Sequence, residues 1–136
     1  MRPEDNLQKA VVDYLELIEA REPGFVFFAV PNAGKRSFKG AAREKAMGLR
    51  SGVPDLCIIF GGRPHFIELK APGSLIGKRG KPKADPRSVS QKHFQWRLIA
   101  AGSAVTTRDS FESVREFIDL IVAASHSLKR QKAEAA

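Results

Sequence analysis

The chain has 136 residues, 43% of them hydrophobic, which suits one ordinary domain with a single core. Cys57 is the sole cysteine, so an intramolecular disulfide and a cysteine-based zinc site are excluded, and no apolar run approaches the roughly 20 residues that span a bilayer. A formal net charge of +8 favours a polyanionic partner, of which nucleic acid is the commonest. The start, Met1-Arg2-Pro3-Glu4-Asp5, has no apolar h-region, so a cytoplasmic protein without a secretory leader is expected.

In chain order, Leu7, Val11, Tyr14, Leu15 and Ile18 recur at helical spacing. Pro3 suits the first turn of that helix, Glu4 and Asp5 suit its positive end, and Pro23-Gly24 stops it. Phe25 to Val30 reads as a strand buried on both faces, broken by Pro31-Asn32-Ala33-Gly34. Lys39 to Leu49 predicts a short helix that ends near Gly52. Asp55 to Phe60 and His65 to Lys70 read as two strands joined by the turn Gly61-Gly62-Arg63-Pro64. Residues 71–89 are rich in Gly, Pro and Lys and form a basic loop. A helix follows over Ser90 to Ala101, stopped by Gly102. Ser103 to Thr107 is a short strand. Ser110 caps a last helix carrying Phe111, Val114, Ile118, Ile121 and Val122. Residues 126–136 are expected to be a disordered basic tail, which leaves residues 1–125 as one domain. The order predicts a mixed sheet flanked by helices in one α/β layer architecture.

The hairpin carries the chemistry. With Phe60 opposite His65, Asp55 falls opposite Lys70 and Cys57 opposite Glu68. One face then carries Asp55, Cys57, Ile59, Phe66, Glu68 and Lys70, and the other carries Leu56, Ile58, Phe60, His65, Ile67 and Leu69. A shift of two residues preserves this grouping, whereas a shift of one destroys it. Two carboxylates at one end of a sheet repel each other, and a divalent cation relieves that repulsion. Mg²⁺ prefers oxygen ligands and is commonly held by one or two carboxylates together with substrate phosphate. Such an ion activates water and polarises a phosphodiester, and Lys70 beside it could stabilise the developing charge. An Asp–Lys cross-strand pair with an edge Glu, with no catalytic role, explains the same three residues.

Two more polar residues align with buried stripes. Glu4 lies three residues before Leu7, so its carboxylate could be a third acidic group of the site or a favourable charge at a helix N-terminus. Gln91 lies three residues before Phe94, and it also completes a capping box in Ser88-Val89-Ser90-Gln91.

Taken in order, these segments resemble a known family. Gly52-Val53-Pro54-Asp55-Leu56 followed by Phe66-Ile67-Glu68-Leu69-Lys70 looks like the PD-(D/E)XK nuclease signature. Glu4-x-x-Leu7-Gln8, Pro31-Asn32-Ala33-Gly34, Gly48 to Gly52, and Ser90-Gln91 through Trp96 and Leu98 to Gly102 narrow the likeness to the virus-type replication-repair nuclease domain, VRR-NUC. The resemblance implies a restriction-endonuclease-like fold with an αβββαβ core and Mg²⁺-dependent hydrolysis of DNA phosphodiesters, with Mn²⁺ able to substitute. It implies Asp55 and Glu68 as metal ligands, Glu4 as a further acidic ligand, Lys70 as the catalytic lysine and Gln91 as an active-site glutamine. Free-standing members resemble Holliday-junction resolvases and work as homodimers on branched DNA. The implied protein is an intracellular bacterial or phage-encoded one with no membrane partner.

The leading expectation is therefore a structure-selective endodeoxyribonuclease. The candidate phosphate-binding residues are Lys35, Arg36, Lys78, Arg79, Lys81, Lys83 and Arg87. The alternatives are a nicking or flap nuclease acting as a monomer, and a non-catalytic basic nucleic-acid-binding module on a nuclease fold. His65, His93 and His126 have no metal-ligand spacing, which argues against a histidine-metal nuclease.

Overall fold

The computed structural model describes residues 2–31, 38–75 and 88–136. Helix α1 (Pro3–Arg21) is followed by strand β1 (Val26–Ala29), helix α2 (Phe38–Ala46), strands β2 (Leu56–Phe60) and β3 (Arg63–Leu69), helix α3 (Ser88–Ala100), strand β4 (Ala104–Arg108) and helix α4 (Phe111–Ala135). The four strands form one sheet in the order β1-β2-β3-β4. The β1–β2 and β2–β3 pairs are antiparallel and β3–β4 is parallel, so the expected mixed sheet and the αβββαβ order are both present.

The core lies between one face of the sheet and the helices α1 and α4. Leu7, Val11, Leu15 and Ile18 from α1 meet Val114, Ile118 and Ile121 from α4, over Leu56, Ile58, Phe60, Ile67 and Leu69. Each set repeats with the period of its own element, 3.6 for the helices and 2 for the strands. Tyr14 donates a hydrogen bond to Asp119 and stacks edge-on with Phe111, which closes the α1–α4 seam. Asp5 accepts a hydrogen bond from the Arg2 amide at 3.2 Å at the start of α1, and Ser110 accepts one from the Ser113 amide at 3.2 Å at the start of α4. Among the described residues, no helix is long and apolar enough to cross a membrane.

Four expectations are corrected. The β2–β3 turn is two residues, Gly61-Gly62, because both adopt positive φ (65° and 76°), as a type I′ hairpin requires. Phe60 therefore pairs with Arg63, two residues tighter than expected, and Leu56 pairs with Ile67. Pro64, expected in the turn, lies in β3 before pairing with β4 begins at His65, so its missing amide interrupts no ladder bond to β4. Strand β1 is not buried on both faces: it lies at the sheet edge, and Val26 and Phe28 are 52% and 46% exposed. Finally, α4 continues through Ala135 instead of ending near Ser125. Residues 126–135 contain no Gly or Pro, and their basic side chains suit a helix C-terminus. The His126 ring lies 2.8 Å from the Glu22 carboxylate, and Lys129 sits 5.7 Å from the centroid of the Phe60 ring.

Candidate active site

The opposite face of the sheet carries the polar cluster. Its construction begins in the α2–β2 connection, where Gly52 takes φ +82° and Val53 and Pro54 are buried. This brings Asp55 to the mouth of β2. The Asp55 carbonyl accepts a hydrogen bond from the Val30 amide at 2.9 Å, which ties it to the end of β1. One oxygen of its carboxylate accepts the Leu69 amide at 2.7 Å, which ties it to β3. The observed register sets Asp55 opposite Glu68, so the shift of two residues leaves both carboxylates on one face. Directly opposed residues have Cβ atoms roughly 4.5–5.5 Å apart.

Glu68 is 4% exposed and pairs with Thr107 of β4. The Lys70 amide donates to the Arg108 carbonyl at 2.9 Å, so the end of β3 is anchored to β4 as well. Above these strands, Gln91 in the first turn of α3 bridges the two charged groups. Its Nε2 donates to Glu68 Oε1 at 3.2 Å, and its Oε1 accepts from Lys70 Nζ at 2.6 Å. Lys70 Nζ lies 3.6 Å from the same Glu68 oxygen. With Glu68 nearly buried, these interactions occur in reduced dielectric, where charge-assisted bonds hold their geometry more firmly than in water. The Gln91 side chain is thus engaged with the sheet.

The residues singled out in the sequence divide into three groups. Asp55, Glu68, Lys70 and Gln91 come together at one end of one face. Glu4 sits half-buried at the start of α1, in line with Leu7 as its spacing suggests. Among the described residues, no three or more His, Cys, Asp or Glu side chains form a group that could hold a metal ion, so Glu4 is not gathered with Asp55 and Glu68. Lys35, Arg36, Lys78, Arg79, Lys81, Lys83 and Arg87 all lie outside the described residues.

Cys57 shares the face of Asp55 but is 1% exposed, and burial pushes its thiol pKa up, so it stays a neutral filler beneath the cluster. Gln95, passed over in the sequence, donates to Thr107 Oγ1 at 3.3 Å and holds α3 to β4 one turn beyond Gln91. Its four-residue spacing from Gln91 was the available signal. Arg50 was missed too; its guanidinium lies 5.7 Å from the centroid of the Phe94 ring.

Two opposed carboxylates offer hard oxygen donors suited to a Mg²⁺ ion that keeps several waters and takes its remaining ligands from phosphate. A half-buried ammonium held beside them supplies positive charge for a developing anion. The donor set therefore fits a divalent metal, with Asp55 and Glu68 as the residues that would hold it.

No family model matches the chain, and no curated protein matches it in sequence. Solved structures do match. One described as a VRR_NUC domain protein superposes with a TM-score of 0.65 and 22% identity over 90% of each chain. Another, described as a VRR_NUC domain, has a TM-score of 0.53 and 24% identity, covering 88% of this chain and 97% of its own. This chain has the VRR_NUC fold, a restriction-endonuclease-like α/β architecture of four helices around a mixed four-stranded sheet.

Proposed function

We propose that this chain is a VRR-NUC nuclease, a metal-dependent endodeoxyribonuclease that hydrolyses DNA phosphodiesters. The observation that carries this reading is the bridging of Glu68 and Lys70 by Gln91 beside Asp55, at one end of the sheet face opposite the core. A cross-strand ion pair kept only for stability needs neither a second carboxylate opposite nor a glutamine supplied by a separate helix. Asp55 and Glu68 would hold Mg²⁺, or Mn²⁺ in its place. When bound, that ion supplies a more acidic water and polarises the phosphoryl group. Lys70 places positive charge where phosphate oxygens gain negative charge. Gln91 fixes the orientation of both Glu68 and Lys70. The net charge of +8 supports a nucleic-acid substrate, and Lys35, Arg36, Lys78, Arg79, Lys81, Lys83 and Arg87 are the residues proposed to bind its phosphates.

The finer reading is a homodimer acting on branched DNA in the manner of a Holliday-junction resolvase. Paired cuts on a two-fold symmetric junction need two sites in fixed opposition, and a symmetric dimer provides them. The exposed edge strand β1, with Val26 and Phe28, offers an apolar surface for such a contact. A cleavage panel tests both levels: linear duplex, nicked, flap and four-way-junction DNA, each with Mg²⁺, Mn²⁺ or EDTA. Metal-dependent cutting of any substrate supports the nuclease, and preference for the junction together with a dimer in light scattering supports the resolvase. A monomer that prefers flaps or nicks replaces the paired-cut reading.

A further inference from the structure

Helix α3 carries Gln91, yet among its described residues none is fully buried, and Val89, Trp96 and Ile99 are exposed. Phe94 and Leu98 are only half-buried, so apolar burial fixes α3 over the sheet less firmly than it fixes α1 and α4, and local contacts contribute more. Gln95 on Thr107 and Arg50 on Phe94 are two such contacts. Another lies directly at the site. A Cβ built on Gly52 would stand 2.8 Å from the Ser90 carbonyl oxygen, 3.1 Å from the Ser90 carbonyl carbon and 3.2 Å from Gln91 Cα. All three are backbone atoms of the first turn of α3, so no side-chain rotation relieves the contact. The absence of a side chain at position 52 lets the loop before Asp55 lie flush against the turn that presents Gln91.

We propose that Gly52 is a positioning residue, which acts through Gln91 by setting how closely α3 approaches the loop that leads into Asp55. This rests on the nuclease reading of the site and adds a residue to it. Ordinary contact begins near 3.4 Å, so a methyl group at position 52 requires loop and helix to separate by about 0.6 Å. The Gln91 Nε2–Glu68 Oε1 bond, at 3.2 Å, is already at the long end of hydrogen bonding and has no room for such a shift. The Gln91–Lys70 bond is shorter, and it would follow the helix only by drawing Lys70 away from Glu68. The positive φ of Gly52 is a separate demand on the same residue. Asn tolerates that backbone region better than Ala. Gly52→Asn therefore eases the backbone demand while keeping the clash, and Gly52→Ala imposes both.

The test uses the full chain with Gly52→Ala, Gly52→Asn, Gln91→Ala and the two corresponding double variants. The first readout is the side-chain amide resonance of Gln91 in ¹⁵N-labelled protein without metal or DNA. The second is the single-turnover cleavage rate, measured beside DNA affinity and thermal stability. We expect both Gly52 variants to move the Gln91 resonance toward that of a solvated glutamine. We expect each to lower the cleavage rate by no more than Gln91→Ala does, with DNA affinity unchanged, and to lower it no further once Gln91 is already Ala. A wild-type resonance and rate in Gly52→Asn would overturn the proposal, since only the backbone angle would then matter. An equal rate loss with and without Gln91 would overturn it too, as would loss of the fold in both single variants, because the contact lies outside the core cluster. If the wild-type chain cuts no DNA, the nuclease reading fails, and the amide resonance alone decides what Gly52 does.

Discussion

The two faces of the sheet are built on different principles. Against one, α1 and α4 bury a continuous apolar cluster in which Val11, Leu15, Leu56, Ile58, Ile67, Val114 and Ile118 lose essentially all exposure. Against the other, α3 buries no described residue fully, leaves Trp96 72% exposed, and is tied down by hydrogen bonds from Gln91 and Gln95. The first arrangement gains free energy in proportion to apolar area removed from water. The second holds polar groups in a set geometry at little gain in stability. The apolar core and the candidate site thus lie on opposite sides of one sheet, and substitutions on the two sides should have separable effects.

The largest expected effect is on the α3 side. Asp55→Ala and Glu68→Ala should abolish metal-dependent cleavage, and Lys70→Ala should lower it by roughly 10²–10³-fold, the usual loss when one charge-stabilising donor is removed. None should lower the thermal midpoint as a core truncation does. Single-turnover rates and melting curves on the same preparations check this, and undiminished cleavage by any one variant would take that residue out of the mechanism. On the α1–α4 side the pattern should invert. Leu15→Ala and Ile118→Ala each empty a fully buried position and should cost about 2–5 kcal/mol in denaturant unfolding, with the cleavage rate per folded molecule unchanged. A core variant that keeps its stability but loses activity would mean that the two faces are coupled.

A smaller effect concerns binding alone. Neutralising Lys78, Arg79, Lys81, Lys83 and Arg87 should flatten the salt dependence of DNA affinity by roughly 0.9 log units of slope for each lost duplex phosphate contact. Fluorescence anisotropy titrations at several salt concentrations measure that slope. An unchanged slope would make this segment a solvated linker.

The core face was the more legible of the two in sequence, and the reason is periodicity. Leu7, Val11, Leu15 and Ile18, like Val114, Ile118 and Ile121, repeat at helical spacing and are buried. The site was legible only in part. Opposing Asp55 to Glu68 instead of Lys70 needed the length of the turn, which two glycines at positive φ decide. The alternation of side chains saved the assignment, since a two-residue shift preserves faces. The exposure of β1 was hidden because Phe25 to Val30 is uniformly apolar, and such a run does not reveal whether a strand is central or at an edge. The contact between Gly52 and α3 joins residues remote in sequence and leaves no trace in composition or spacing. Glu4 marks a limit of periodicity: its alignment with a buried stripe is compatible with a third acidic group of the site and with a favourable charge at a helix N-terminus, because alignment fixes only a direction along one helix.

The smallest effect lies in the core face itself and comes from His65. His65 sits on β3 with its ring edge-on to Phe117 of α4, centroids 6.4 Å apart. Burial lowers its pKa below the usual imidazole value, the neighbouring Arg63 guanidinium lowers it further, and a hydrogen bond with the Phe60 backbone opposes them without reversing the shift. The folded protein therefore holds a neutral ring at a pH where the unfolded chain has begun to protonate it. Between the two pKa values the unfolded state binds more protons, so stability rises with pH across that window. The contribution is complete above the unfolded value of about 6.5, declines as pH falls through it, and levels off below the folded value. Unfolding midpoints measured in steps from pH 8 to pH 5 should show this decline in the wild-type chain. His65→Phe keeps an aromatic ring against Phe117 and removes the titration, so the midpoint difference between variant and wild type should drift in favour of the variant as the medium is acidified. A difference that stays constant across the range would mean that His65 is protonated as easily in the folded protein as in the unfolded chain.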